Sequence, residues 1–390
     1  MTTRSAARAS RFRLTADLPA TLPAPVSGAP THSAAHATAP SEPTHCLEPA
    51  VLIERLKQWA ALAGDAFSPR TIEALDGDGR LFRAWCLERS LAWLPADPAT
   101  VVAFMEDVGA TRRPATISRY LANISTLHKA AGAPSPTEHP DVKLARKAHA
   151  RKKGTDQRQA APLGEREIHV IVRSIEKAAK RAGGASLIEL RDRALVLVMS
   201  DTLCRASEVG RLRWADIEPA TDGSGTLVVR FTKGNYSNGR ATYLSPQTMQ
   251  ALEAWRKGLV AWLELQRSNA VQAGNGDRLA RLPLPGEGEF IFWNLSTTPR
   301  NRLSRQAVWA IIKAQGNRAL GTDAYSAHST RVGTACDIVR SGAGLLEAVV
   351  AGGWKTTTQV LRYTRRHSAT RGAVARLRSR KVKDIQLLAR

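Results

Sequence analysis

The chain has 390 residues, with 57 Lys and Arg against 34 Asp and Glu, a net charge of +23 and a sequence pI near 10.7. That much like charge is costly self-repulsion unless a polyanion neutralises it, so nucleic acid is the first partner to consider and an anionic membrane surface the second. The longest apolar run, Ala194 to Met199, is far too short to span a bilayer, no signal-peptide core lies near the N-terminus, and Cys46, Cys86, Cys204 and Cys336 are scattered without a CxxC pair or zinc spacing. The expectation is a soluble protein of a reducing compartment, with neither a disulfide framework nor a structural metal, and a length that suits two domains plus a tail.

Residues 1–45 are rich in Ala, Pro, Ser and Thr and nearly free of aliphatic side chains, so a disordered tail is expected. Its opening, MTTRSAARASRFRL, has the Arg- and Ser-rich, acid-poor composition of a transit peptide as well as of a plain basic tail, and the plain tail is the reading taken. Residues 46–150 read as a helical domain, with helical patterns in LIERLKQWAALAG, SPRTIEALDGDGRLFRAWCLERSL, DPATVVAFMEDVG and RRPATISRYLANISTLHKAAG. In the last of these, Ile117, Leu121, Ile124 and Leu127 recur at spacings of four, three and three, which makes one apolar stripe. The opposite face presents Thr116, Ser118, Arg119, Asn123 and Thr126, with Arg112 and Arg113 just ahead of it. Short hydrogen-bonding groups and arginines of this kind fit either a DNA groove or an ordinary solvated face. Lys143 to Arg158 then holds seven basic residues and one acid, Asp156, and residues 151–161 are expected to be a basic linker, solvated or following a phosphate backbone.

Residues 162–390 mix helix and sheet. EREIHVIVRSIEKAAKRAG has helical spacing at Ile168, Ile171, Val172 and Ile175, and LIELRDRALVLVMSDTL is apolar nearly all round, as a buried helix is. TLVVRF and RATYLS are short β-type runs on either side of TKGNYSNG, whose Asn238-Gly239 step signals a turn, so a β-hairpin is expected. Ser245-Pro246 supplies an N-cap and a first-turn proline for a long helix, and EFIFW reads as one more short strand. SRQAVWAIIKA, SAHSTRVGTACDIVRSG, LLEAVVAGG and TTTQVLRYTRR are helical. The fold class expected is mainly α with a small β-sheet.

The sequence contains no Gly-rich P-loop, GxSxG elbow, HExxH or acidic cluster suited to magnesium, so no cofactor and no metal are expected. Cationic and donor residues remain. His328 and Arg331, three apart in SAHSTRVG, project from one face of a helix, and an imidazole beside a guanidinium suits a phosphate; a lone HxxR is otherwise a surface pair. Arg205, at the end of the apolar helix in TLCRASEV, needs a partner there, which Glu208 three residues on can supply; a helix-end salt bridge is the plain alternative. Lys233 lies in the hairpin, where its ammonium either swings to a ligand or is an edge charge. Tyr363, in GGWKTTTQVLRYTRR, stands among arginines nine residues after Trp354. Its phenol is a weak nucleophile at an ordinary pKa of about 10, and neighbouring cations favour the phenolate, so it reads as a packing aromatic or as an activated nucleophile.

Arg205 in TLCRASEV, Lys233 in the hairpin, His328-x-x-Arg331, Trp354 after Gly-Gly, and Tyr363 stand in the order and approximate spacing of the tyrosine recombinase (phage integrase) family. The chain resembles that family over roughly residues 65–378. AHSTRVGTACDIVRSG, AGGWKTTTQVLRY and a tryptophan where most of the family has histidine resemble its Cre-like branch, as do WLPADPATVVAFMEDV and TISRYLANISTLHKAAGAPSP in the N-terminal half. The resemblance implies a helical core DNA-binding domain and a catalytic domain that together form a clamp round double-stranded DNA. It implies that Arg205 and Arg331 clamp the scissile phosphate, that Trp354 donates its indole N–H to it, and that His328 assists proton transfer. Lys233 would protonate the departing 5′ oxygen while Tyr363 attacks phosphorus, leaving a 3′-phosphotyrosyl link and a free 5′-hydroxyl, with Glu208 in support. Also implied are inverted-repeat target sites, strand exchange through a Holliday junction, a homotetramer on two sites with a dimer on each, and a cytoplasmic, DNA-associated location with no membrane partner. A C-terminal helix bearing Val374, Leu377, Ile385, Leu387 and Leu388 would dock on the neighbouring protomer. The alternatives are a type IB topoisomerase, which uses a similar residue set, and a non-catalytic DNA-binding protein on the same fold.

Overall fold

A computed structural model describes residues 13–15, 48–156, 159–230, 239–272, 286, 288–295, 301–371, 374 and 377–378. The chain divides into two compact units, Met1–Gln157 and Arg158–Arg390.

The five helices described in the first unit all begin at a proline: α1 Pro49–Ala66, α2 Pro69–Glu88, α3 Pro98–Gly109, α4 Pro114–Ala131 and α5 Pro140–Lys153. Proline suits a first helical position because its fixed φ is already helical and the N–H it lacks has no partner there. Ser68 and Asp97 cap α2 and α3 by accepting from the N–H groups of Thr71 and Ala99, and Gly132, at φ 78°, ends α4 in the left-handed conformation. The stripe on α4 faces inward, and Ile117, Leu121, Ile124 and Leu127 share one core with Phe82, Trp85 and Phe104. Each such side chain contributes about 1.5–3 kcal/mol on burial.

Two places differ from expectation. Of the predicted tail the structure describes residues 13–15, and these form a 3-10 turn whose Leu14 is fully buried in that core, its N–H donating to Asp76 Oδ1 at 2.6 Å. A single leucine in a polar tail has no periodicity to betray it. The basic run also does not become a linker at residue 151: α5 continues to Lys153, with Val142 buried beneath it and Lys153 Nζ donating to the Ala110 carbonyl at 2.9 Å.

The second unit is mainly helical, with α6 Glu165–Arg181, α7 Leu187–Thr202, the short α8 Ala206–Val209, α9 Pro246–Gln272, α10 Arg305–Leu320, α11 Ser329–Arg340, α12 Leu345–Gly352 and α13 Thr357–Arg371. The three strands among its described residues, β1 Ile217–Pro219, β2 Gly225–Val229 and β3 Arg240–Leu244, form one antiparallel sheet in that order, with Leu227 opposite both Ile217 and Thr242. The hairpin is β2–β3, and its tip, residues 231–238, lies outside the described residues. β1 has too few residues to leave an alternating pattern, which is why it was not expected. EFIFW is not a strand: Ile291, Phe292 and Trp293 are fully buried, but pairing there is confined to the isolated bridges Arg213–Phe290 and Trp293–Arg302. A short apolar run says that a segment is buried without saying how its backbone is paired.

α7 is the central element of this unit, with every residue from Ala194 to Met199 buried, as its uniform apolarity predicts. Asp201 near its end ties it to the sheet and to α9 by accepting from Ser245 N–H at 2.7 Å and Thr248 O–H at 2.6 Å. α11 is held against the segment before α6, where Leu163 N–H donates to Ser329 O at 2.9 Å. Gly333 makes that approach possible, since a Cβ there would lie 2.1 Å from the Leu163 carbonyl. Among the described residues no helix is long and apolar enough to cross a membrane.

Candidate active site

Five of the residues singled out in the sequence converge where the ends of α7, α11 and α12 meet the middle of α13. α7 stops at Leu203, whose φ of 51° is left-handed, and the next turn buries Cys204 and brings out Arg205 at the N-cap of α8. Glu208, 3% exposed, then holds Arg205 twice, accepting from its backbone N–H at 2.9 Å and from Nη1 at 2.6 Å. A buried carboxylate with two donors from one arginine fixes where the guanidinium points.

Arg331 comes from the first turn of α11 and is 1% exposed. Its Nη1 donates to the Leu203 carbonyl and its Nη2 to the Gly352 carbonyl, so one guanidinium joins the end of α7 to the end of α12. Its Cζ lies 4.3 Å from the centre of the Trp354 ring, a cation–π contact, and its buried Nε has no hydrogen-bond partner among the described residues. Burial first, and then the Arg205 charge, draws its pKa down to about 10, so it remains a cation at neutral pH.

The Gly352-Gly353-Trp354 sequence has a separate reason at each glycine. Gly353 takes the left-handed C-cap of α12 at φ 59°, and Gly352 lies under the indole, where a Cβ would stand 1.9 Å from Trp354 Cζ3. The chain thereby folds the Trp354 ring back between Arg331 and Tyr363, to which it stands edge-on with 5.8 Å between ring centres.

Tyr363, on α13, is 8% exposed. His328 Nε2 lies 2.8 Å from its hydroxyl oxygen, and Gln359 Oε1 one turn earlier on α13 accepts from the hydroxyl at 2.9 Å. Burial raises the phenol pKa, and the opposing pull of Arg331, the Trp354 indole, Arg205 and Arg362 does not overcome it. Among the described residues the cations thus pull the phenol in the direction expected from the sequence, and burial outweighs them. His328 stands just before α11 and is not within it; burial, Arg331 and Arg205 all lower its pKa, which keeps the imidazole neutral and able to receive a proton.

Lys233 lies outside the described residues. Val374 and Leu377 are exposed, and Ile385, Leu387 and Leu388 also lie outside the described residues. In the first unit Arg112, Arg113 and Ser118 are exposed and Thr116 is half-buried. Arg119 and Asn123 are engaged internally, at 3.0 and 2.6 Å from the buried Asp78, whose pKa burial raises in spite of both donors. The face opposite the stripe therefore divides: Arg119 and Asn123 are bonded to α2, Thr126 donates to the Ala122 carbonyl of its own helix, and the earlier residues are open. Sequence reasoning missed Gln359, which touches the hydroxyl, and Arg240, which donates to the Thr202 and Ala351 carbonyls beside the Arg331 contacts. Neither belongs to a recognisable spacing; their partners are set by the fold.

The described part of the site is a phenol, a neutral imidazole, an indole N–H and two arginines, held by one buried glutamate. Residues 163–370 match the phage integrase family. The chain belongs to the phage integrase family. It is a tyrosine recombinase, an enzyme that breaks and rejoins DNA strands. Among its relatives, the cre recombinase of Escherichia phage P1 is 27% identical over 328 residues, covering 80% of this chain and 88% of the relative. The tyrosine recombinase XerD of Bifidobacterium longum is 28% identical over 298 residues, covering 74% of this chain and 85% of the relative. The fold is that of the XerH site-specific recombinase in its post-cleavage complex with a palindromic difH substrate, with a TM-score of 0.53, 13% identity and 95% of each chain covered.

Proposed function

We propose that this protein is a site-specific DNA recombinase in which Tyr363 is the nucleophile, acting on duplex sites with inverted repeats. The observation that carries the reading is the convergence on one phenol oxygen of His328 and Gln359, with Trp354 edge-on to the same ring, Arg331 stacked on Trp354 and Arg205 held alongside by Glu208.

A phosphodiester is an anion that repels nucleophiles, so cleavage needs cations on its non-bridging oxygens and a route for the nucleophile's proton. Arg205 is the first such cation. Arg331 is the second, offering its unpartnered Nε–H and the N–H bonds that the two carbonyls leave free. Trp354, edge-on to Tyr363, adds a neutral donor. Because burial holds Tyr363 as a phenol, attack and proton loss occur together: the hydroxyl turns its proton from Gln359 Oε1 to the unprotonated Nε2 of neutral His328, which takes it as the oxygen bonds to phosphorus. The 5′ oxygen leaves with a proton from Lys233, and the protein is left joined through a 3′-phosphotyrosyl bond. That bond conserves the energy of the phosphodiester, and a 5′-hydroxyl from a partner duplex reverses the step and exchanges strands through a Holliday junction.

The domain roles accord with the same reading. The first unit, with Arg112, Arg113, Thr116 and Ser118 on its open face, is the core DNA-binding domain, and the second is the catalytic domain. The exposed Leu346, Val350, Val374 and Leu377 support assembly in trans, with a dimer on each site and a tetramer on two. The location is cytoplasmic, on DNA.

The test is covalent trapping. The intact protein selects its site from a random-sequence duplex pool, and the selected duplex is resynthesised with a nick that lets the 5′-hydroxyl fragment diffuse away. The wild type is expected to form a protein–DNA adduct that Tyr363→Phe does not form, while both bind the duplex equally.

A further inference from the structure

We propose that Arg240 is a positioning residue for DNA cleavage: by capping the C-terminal ends of α7 and α12 together it sets Arg205 and Trp354 in register. The inference rests on the function proposed above and adds to it a residue outside the set that the sequence points to.

The last carbonyls of a helix have no intrahelical donor, and they lie at the negative end of its dipole. In this protein two helices end side by side, α7 at Thr202 and α12 at Gly352, and each passes into a left-handed residue, Leu203 at φ 51° and Gly353 at φ 59°. Arg331 and Arg240 span that pair like two rungs. Arg331 donates to the carbonyls of Leu203 and Gly352, while Arg240 donates through Nη1 to those of Thr202, at 2.8 Å, and Ala351, one residue back on each strand of the junction. Arg240 Nη2 lies 3.8 Å from Cys204 Sγ, and its stem crosses Gly353 so closely that a Cβ there would meet Arg240 Cδ at 2.8 Å.

Each of these helix ends leads directly into a residue of the site. Arg205 begins two residues after Leu203, and Trp354 is the next residue after Gly353. The two hydrogens of Nη1 reach the two carbonyls in directions that the rigid guanidinium plane fixes, whereas an ammonium is a point donor on a flexible stem whose rotation fixes none. Arg240 is also the first residue of β3, paired with Val229 of β2, so the sheet and the two helix ends are joined through one side chain. Arg331 is expected to meet the phosphate as well as the carbonyls. Arg240 is left with the second task, which is to keep the junction from shifting when Arg331 is drawn toward an anion.

The experiment uses the full-length protein and the nicked duplex described above, with Arg240→Gln and Arg240→Lys beside the wild type. Three quantities are read: duplex affinity, the single-turnover rate of adduct formation at saturating protein, and the midpoint of thermal unfolding. The expectation is that both variants bind within about threefold of wild type while the adduct rate falls at least about tenfold, as a misplaced catalytic group demands. A merely structural residue would lower affinity and thermal midpoint together with the rate. If Arg240→Gln does not fold, Arg240→Lys decides, because it keeps the charge and the stem and loses the two-carbonyl span. Either variant cleaving at the wild-type rate overturns the proposal, and so does full recovery by lysine, which would make the charge and not the span the cause. A wild type that forms no adduct refutes the parent reading and this one with it, whereas a cleaving wild type matched by its variants refutes this one alone.

Discussion

Replacing Gly352 by alanine puts a methyl group where the Trp354 indole lies, since a Cβ at that position would be 1.9 Å from Cζ3 and 2.3 Å from both Cε3 and Cη2. Close contact in folded proteins begins near 3.4 Å, so the ring must retreat by about 1.5 Å, and a tightly packed interior does not absorb that without moving its neighbours. Those neighbours are the site itself: the indole lies over Arg331 and stands edge-on to the Tyr363 ring. Overpacking of this size costs about 1–3 kcal/mol of stability, which a domain with about 5–15 kcal/mol in hand survives. Displacing a catalytic group by about 1 Å costs on the order of 100-fold in rate. Gly352→Ala is therefore expected to fold and bind DNA but to form the trapped adduct about 100-fold more slowly. Gly184→Ala, at a position where a Cβ meets nothing within 4 Å, is the control and is expected to cleave normally. Cleavage by Gly352→Ala within about threefold of the control would refute the reasoning, because it would show that a displacement of this size at Trp354 is tolerated.

Two predictions concern protons. The rate of adduct formation is expected to fall in acid, at a pH below the ordinary histidine value, as His328 gains the proton that disqualifies it as an acceptor; in His328→Gln that acid limb should vanish from the rate profile, and its survival would assign it to another group. His128, buried in the first unit, accepts from Ala96 N–H at 3.0 Å and donates through Nδ1 to Ile124 O at 2.8 Å, and burial lowers its pKa to about 4. The unfolded chain binds this proton at about pH 6.5 and the folded one near 4, so folding stability is lost as pH falls through that window, by about 3 kcal/mol in all. Urea unfolding of the first unit's transition at successive pH values checks this, and a flat stability between those limits would contradict it.

The helices were legible because proline at the first position and an apolar stripe mark them locally, as at Pro114 with Ile117, Leu121, Ile124 and Leu127. β1 and the buried Ile291–Trp293 segment were not, since pairing is decided by what lies opposite. Arg205, His328, Arg331, Trp354 and Tyr363 were each ambiguous, and acquired meaning as a set in family order. The glycines before Trp354 hold a signal in plain view, one for the left-handed turn and one for the ring above it, but it can be read only once the ring's position is known. Arg240 and Gln359 bond to partners fixed by tertiary packing, so no local pattern announces them. The same holds for the phenol of Tyr363: its arginine neighbours are visible in the sequence, whereas the burial that outweighs them belongs to the fold.

The measurement closest to the central claim is peptide mapping of the covalent adduct formed on the nicked duplex. The nucleotide is expected on the phenolic oxygen of Tyr363 through a 3′-phosphate, with none retained by Tyr363→Phe despite normal binding. An adduct at any other residue, or an undiminished adduct from Tyr363→Phe, would contradict the account.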